Sequence, residues 1–459
     1  MLSSPPFAPA ILTMHSLEQL QRGELAGITR LDLAANLVEF PEAIFSLADS
    51  LEVLNLSGNQ LSRLPADLPR LHKLRVLFCS DNHFTEVPAV LGQCPQLEMI
   101  GFKANQIRQL PAAALPAKLR WLILTDNQLE QLPEELGQCQ RLQKLMLAGN
   151  RLRELPASLA NCHNLELLRI AANQLDALPQ CLVQLPRLSW LAFAGNPFCD
   201  RLEAASLRQH PLRSIPWQQL HLGACLGEGA SGVIQQATWQ AEQSPAQQIA
   251  VKLFKGAVTS DGLPHSEMSA CIAAGQHANL IGLHGQLDEH PQGTPGLLLE
   301  LIDPSFSPMA GPPSLASCTR DCYAADSQFS LTSALRIAHG IAAAAAHLHG
   351  QGINHGDLYA HNILRNDSGD CLLGDFGAAS FTDPNNPAEA QALQRLEVRA
   401  FACLLEELLQ RCPLSSGQQA TGQALWALQQ ACASTDNRYR PLFAEITAQL
   451  QDALHSLED

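Results

Sequence analysis

Two hydrophobic rhythms divide the chain. From about residue 28 to residue 200 the pattern is L-x-x-L-x-L-x-x-N, as in LEVLNLSGN (51–59) and LELLRIAAN (165–173). Its closing residues are Asn36, Asn59, Asn82, Asn105, Asn127, Asn150, Asn173 and Asn196. Their spacing is constant except for one position lost between Asn105 and Asn127. A fixed period of this length marks stacked repeats. The alternating leucines predict a short strand with one face in the core. The Asn amide can satisfy backbone groups where the chain leaves the strand, once per coil. Pro65, Pro88, Pro111, Pro133, Pro156 and Pro179 recur at one offset after an Asn, and Pro41 stands one place nearer to Asn36. Each fixes φ where no ladder N–H is required. One unit cannot bury its own apolar face, so the units must stack. Residues 14–27 predict a capping helix ahead of them.

The strand positions between the buried leucines point the other way, onto the concave side of such a stack. That column includes Val53, Phe78, Met99, Trp121, Ile123, Met146 and Trp190. It is unusually apolar, and apolar surface of this extent marks a binding face. Two occupants are open: a separate protein, or the second half of the same chain.

After residue 200 the rhythm changes. The stretch 198–220 breaks the repeat, and LGEGASGV (226–233) places Gly227, Gly229 and Gly232 in a turn. A dinucleotide-binding fold would need a helix directly after it. Here VIQQATW alternates like a strand, which suits a flap between two strands. IAVKLF (249–254) is an apolar strand holding Lys252. A buried lysine demands a partner. Glu267, on the helix-like stretch that follows, is the candidate. GLLLELID (296–303) is a buried strand that leads into a Pro/Ser/Gly-rich segment, 304–328. That segment reads as a loop insertion of poor order. The Leu301–Asp303 end of the strand predicts a hinge whose backbone faces a purine edge. Residues 330–350 predict a helix with Leu331, Leu335, Ala338, Ile341, Ala345 and Leu348 on one face.

INHGDLYAHNIL (353–364) and CLLGDFG (371–377) then bring Asp357, Asn362 and Asp375 between short strands. Asp carboxylates and an Asn amide oxygen suit a hard cation such as Mg²⁺ bridging phosphate oxygens. Asp357 is placed to accept a proton from a substrate hydroxyl.

Composition narrows the setting. The chain of 459 residues suffices for two or three domains. The net charge of −15 argues against nucleic acid or an anionic membrane as partner. The 14 cysteines show no zinc spacing, and Cys318 and Cys322 read as free thiols. Neither a signal peptide nor an apolar run long enough to span a membrane stands out, so a reducing, cytoplasmic setting is expected. The excess of arginine over lysine suggests a GC-rich bacterial genome.

The first half resembles the leucine-rich repeat family in its short, proline-containing form. Residues from about 217 to 455 resemble the eukaryotic-type protein kinase catalytic domain. The ordered set is Gly227/Gly229/Gly232, Lys252, Glu267, Asp357, Asn362 and Asp375-Phe376-Gly377. RLEVRAFACLLEELL (395–409) is similar to the family's long central helix, and RYRP (438–441) to its late Arg-Pro motif. The resemblance implies an α/β solenoid of eight repeats followed by an α+β bilobal kinase fold. It implies a capping segment over 1–27, the solenoid over 28–200, a linker over 201–216, the small lobe and hinge over 217–303 and the large lobe over 304–459. It further implies ATP held by Leu226, Gly227, Glu228, Gly229, Ala230, Ser231, Gly232, Val233, Ala250, Lys252, Glu267, Glu300 and Ile302. Asn362 and Asp375 would hold Mg²⁺, with Asp357 and Lys252 catalytic.

Three departures stand out. Gly356 replaces the Arg that receives a phosphorylated residue, which implies activity not switched by loop phosphorylation. Tyr359 replaces the Lys that serine/threonine kinases hold near the transferred phosphate. Arg365 and the Tyr359 hydroxyl are the nearby groups able to make up that charge. The interval from Asp375 to Glu397, the apparent counterpart of the Asp bracing the catalytic loop, is short. Within it Pro387-Ala388-Glu389 offers a distorted substitute for the family's Ala-Pro-Glu, to pair with Arg440. Three activities stay open: a serine/threonine protein kinase whose repeats recruit a substrate or regulator; a nucleotide-binding scaffold without transfer; and a small-molecule kinase related to those acting on aminoglycosides or choline.

Overall fold

The computed structural model describes residues 14–458, except 211, 230, 242–244 and 257. By its contacts the chain divides into two units, Met1–Leu188 and Ser189–Asp459.

The first unit opens on a short helix, α1 (Leu17–Gln21). Ser16 caps it in a reciprocal capping box with Gln19. Seven three-residue strands follow: β1 (Arg30–Asp32), β2 (Val53–Asn55), β3 (Val76–Phe78), β4 (Met99–Gly101), β5 (Trp121–Ile123), β6 (Lys144–Met146) and β7 (Leu167–Arg169). They pair in parallel, each middle residue beside the next: Leu31, Leu54, Leu77, Ile100, Leu122, Leu145, Leu168. Pro41, Pro88, Pro111, Pro133 and Pro156 each immediately precede a short 3-10 helix on the return path.

The Asn ladder links each coil to the one before. Asn150 Oδ1 accepts the Leu129 N–H at 3.0 Å, and its Nδ2 donates to the carbonyls of Leu124 and Leu147. Asn59, Asn82, Asn105, Asn127 and Asn173 do the same one coil up or down. Asn36, in the first coil, is exposed and sits at φ +52°. Cys94, Cys139 and Cys162 lie among the leucines, where burial pushes their thiols up to about 11, 11 and 12.

The apolar column is less open than its sequence predicts. Val53, Phe78, Trp121 and Ile123 are half-buried, whereas Met99 and Met146 are buried. These side chains cover one another. The Phe78 ring leans over Gly101, where a Cβ would lie 2.5 Å from Phe78 Cδ1. It meets Trp121 edge-on at 6.4 Å, and the Lys144 ammonium sits 4.3 Å above the Trp121 ring.

The second unit begins with the strand of the eighth repeat, β8 (Trp190–Ala192), and a helix, α2 (Pro197–Gln209). A six-stranded sheet follows. Its strands are β9 (Ser214–Pro216), β10 (Leu220–Glu228), β11 (Gly232–Trp239), β12 (Gln247–Phe254), β13 (Leu283–Asp288) and β14 (Gly296–Glu300), in the order β10-β11-β12-β14-β13-β9. Five run antiparallel, and β9 adds a parallel edge beside Gln286–Asp288. Ile215, Trp239, Ile249, Val251, Leu287 and Leu298 form the core beneath this sheet. The helix α3 (Pro264–Ala274) follows β12.

The helical part holds α4 (Leu331–Gly350), α5 (Pro387–Gln410), α6 (Gln419–Cys432) and α7 (Phe443–Glu458). All six apolar positions predicted for α4 are buried. The segment 304–328 is not a loose insertion. Its β15 (Ser307–Pro308) pairs with β17 (Ile363–Arg365), which in turn pairs with β18 (Cys371–Leu373). Arg320 bridges Glu406 and Glu407, each at 2.8 Å, and the Tyr323 hydroxyl donates to Glu407. Ion pairs that engage α5 from a proline-rich strand pattern leave no periodicity for a sequence to display.

Candidate active site

Strand β12 carries Lys252 inward, and α3 turns Glu267 to meet it as an ion pair. Lys252 keeps only 13 % of its side chain exposed and Glu267 2 %. Burial opposes the Lys252 charge, but Glu267 and Asp375 facing it outweigh that and raise its pKa. Burial also raises the Glu267 carboxyl, with Asp375 adding to the effect and Lys252 opposing it.

Above the pair, the turn between β10 and β11 is closed by the Gly229 N–H donating to the Gly232 carbonyl. Gly232 is required there, since a Cβ would lie 2.5 Å from the Leu253 carbonyl oxygen. Lys255 reaches across to Glu228 at 2.7 Å and to the Gly229 carbonyl at 3.1 Å. A cavity of 330 Å³ opens beneath the turn. Its walls include Gly227, Ser231, Lys252, Asp261, Asp375 and Gly377.

The catalytic-loop candidates follow β16 (Ile353–Asn354), which pairs with β19 (Ser380–Phe381). His355 is wholly buried; its Nε2–H donates to the Gly374 carbonyl, and its Nδ1 accepts the Asp357 N–H. Asn362 Nδ2 donates to Asp357 Oδ2 at 2.8 Å and to the Asp357 carbonyl at 3.0 Å. That fixes the amide flip and leaves its oxygen as an acceptor. Asp375 has a positive φ, a left-handed conformation that Asp adopts more readily than most non-glycine residues, and its Oδ1 accepts the Gly377 N–H. Oxygen donors of this kind, carboxylate and amide, fit a hard divalent cation.

Glu397, in the middle of α5, accepts the Gly356 N–H at 2.7 Å and the His349 Nε2–H at 2.6 Å. Burial works to raise its pKa, but the His349 hydrogen bond and the Gly356 N–H together hold it low. Gly356 stands at φ +72°. A Cβ there would lie 2.5 Å from the Ala378 carbonyl oxygen and 2.7 Å from that of Leu191.

Family models place these features. Residues 220–416 match the protein tyrosine and serine/threonine kinase family, and residues 140–198 and 50–71 match leucine-rich repeats. The chain is a leucine-rich repeat protein with a protein kinase domain.

Within the kinase domain the predicted residues do not all share one space. Gly227, Glu228, Gly229, Ser231, Gly232, Lys252 and Asp375 line the 330 Å³ cavity. Glu300 and Ile302 line a separate 990 Å³ groove with Gly282 and His284. Leu226 is exposed, Val233 half-buried and Ala250 buried beside Leu299. Ala230 falls outside the described residues.

Tyr359 is not among the residues lining the 330 Å³ cavity. Its ring is buried and stacked on Trp190, centroids 4.2 Å apart and 7° from parallel. Trp190 therefore lies on Tyr359 rather than in a face open to a partner. Arg365 is turned to Asp367 and lies over the Phe329 ring. Glu389 accepts from its own cap residue Asn386, while Arg440 donates to the carbonyls of Ser434 and Arg395.

Two acidic residues escaped the sequence. Asp261 reaches the cavity on a turn closed by Thr259, whose hydroxyl accepts the Asp261 and Gly262 N–H groups. Its only sequence signal is the Ser-Asp-Gly turn. Asp321, in the segment 304–328, accepts the His361 N–H at 3.0 Å and pairs with His361 Nδ1 at 2.7 Å. Burial lowers the His361 pKa, yet Asp321, Asp357 and Asp375 together raise it. No local pattern announces a partner so far along the chain.

Proposed function

We propose that this protein is an ATP- and Mg²⁺-dependent protein kinase acting on serine or threonine, with the repeats recruiting a protein substrate or regulator. The observation that carries this reading is the convergence of Asp375 and of Lys252, ion-paired behind the cavity wall to Glu267, on one cavity beneath a glycine-rich turn. Lys252, held protonated, binds the nucleotide phosphates and is itself oriented by Glu267. Asn362 and Asp375 would hold Mg²⁺, which would supply positive charge against the phosphate oxygens. Asp357, oriented by the Asn362 amide, accepts the proton of the acceptor hydroxyl as that oxygen attacks the terminal phosphorus and ADP leaves. Catalysis of this kind is mainly positioning and electrostatics. Fourteen free thiols suit a reducing, cytoplasmic setting.

The test is transfer of the labelled terminal phosphate of ATP by the full chain to itself, to a generic protein and to a lysate, against Asp357→Ala. Labelling lost in Asp357→Ala is expected. No labelling by the wild type overturns the reading.

One observation favours a second reading. From β19 the chain turns through Asp383–Asn386 straight into α5, leaving little backbone to form a peptide-docking platform. An acceptor smaller than a protein fits that economy. ATP consumption on a metabolite pool, without protein labelling, would select it.

A further inference from the structure

Residues 190–209 touch the kinase domain at several of its reacting elements. The Trp190 ring stacks on Tyr359, and its Nε1–H donates to the Leu358 carbonyl at 3.1 Å. The Leu191 carbonyl packs against Gly356 so closely that no Cβ fits between them. Contacts thus fall on both sides of Asp357. One turn further, the Phe193 N–H donates to Ser380 Oγ at 3.1 Å, and Ser380 is wholly buried. On α2, Glu203 Oε1 accepts the Gly195 N–H and Oε2 accepts the Ser266 hydroxyl at 3.0 Å. Ser266 precedes Glu267 in the first turn of α3.

We infer that the segment 190–209 is a built-in clamp on the kinase domain, with Trp190 the positioning residue that holds the loop bearing Asp357. A carbonyl tied at Leu358 and a ring fixed at Tyr359 restrict the backbone torsions through which Asp357 would drift. The same segment occupies Ser380 with a backbone N–H, so this hydroxyl serves as a structural acceptor rather than a phosphorylation site. The clamp therefore stands where other kinases use an Arg and a phosphorylated loop residue, neither of which Gly356 and buried Ser380 can provide. Residues that by sequence close the repeats thus belong mechanically to the kinase domain.

The clamp's consequence for turnover rests on the phosphotransfer reading; its structural part does not. The experiment uses the full chain as wild type, Trp190→Phe and Trp190→Ala. Amide hydrogen exchange is followed over 355–362 and over the α4 interior, beside nucleotide affinity from a fluorescent ATP analogue and, where transfer occurs, kcat and KM. Trp190→Phe keeps a ring for Tyr359 but loses the Leu358 bond, and covers the case in which Trp190→Ala does not fold. Expected are at least about tenfold faster exchange at 355–362, unchanged exchange in α4 and nucleotide affinity within about twofold of wild type. kcat should fall about 10- to 100-fold at nearly constant ATP KM, less so for Trp190→Phe. Unchanged loop exchange in a folded variant overturns the clamp. So does acceleration spread equally over α4, which marks general destabilisation. Wild-type protein without transfer, but with the local exchange response, removes the phosphotransfer reading and retains the clamp.

Discussion

Glu397 accepts a hydrogen bond from the Gly356 backbone at 2.7 Å and from His349 at 2.6 Å, so one buried carboxylate joins α5, α4 and the loop of Asp357. Its pKa is held low in the folded chain. A carboxylate with a depressed folded pKa contributes stability above its unfolded value, and loses it as pH falls through the folded value. Glu397→Gln should cost about 1.5–3 kcal/mol at pH 7, the range for a hydrogen bond to a charged group. Thermal unfolding of both proteins across pH should show that gap constant at neutral pH and shrinking below about pH 4. A gap independent of pH would mean that the charge is not what matters.

Gly356 is fixed by geometry rather than by the loss of a regulatory arginine. Gly356→Arg restores the residue that the kinase family places here. It should nevertheless destabilise by about 2–5 kcal/mol, combining left-handed backbone strain with overpacking. Transfer activity should fall and gain no dependence on added phosphorylation. Calorimetry with a transfer assay checks both; a stable, active Gly356→Arg protein would contradict the contacts at Ala378 and Leu191.

Lys252 and Glu267 separate stability from chemistry. Lys252→Met strands a buried carboxyl and should cost up to about 3–5 kcal/mol. Without Lys252 the Glu267 pKa rises further. A carboxyl raised above its unfolded value destabilises increasingly as pH climbs past that unfolded value, so the loss should be larger at pH 8 than at pH 5. Lys252→Met/Glu267→Leu should recover much of the stability while transfer stays at least about 100-fold down. Denaturant titration at the two pH values, with a transfer assay, distinguishes the effects.

The asparagines of the repeats are predicted to be unequal. Asn150 satisfies one N–H and two carbonyls in the interior. Asn150→Ala should therefore cost about 2–4 kcal/mol through groups left unpaired. Asn36 is exposed and has a positive φ. Asn36→Ala should cost no more than about 1–2 kcal/mol, the strain of a left-handed residue. Urea unfolding of the two variants makes the comparison.

What the sequence determined by itself was whatever has a short period or a contiguous motif. Leucine spacing placed the strands, because a stack of identical coils repeats the same burial at every turn. The glycine turn, Lys252, Glu267, Asp357, Asn362 and Asp375 were legible because each lies in a local pattern whose backbone geometry its neighbours dictate. Beyond the Lys252–Glu267 pair, tertiary structure alone decided the partners. Tyr359 looked like a phosphate contact until Trp190, from the last repeat, proved to cover it. The segment 304–328 looked loose until Arg320, Asp321 and Tyr323 met Glu406, Glu407 and His361. Buried stacking and ion pairs between distant segments obey no sequence period. Their energy depends on distance and desolvation, which only the folded chain sets.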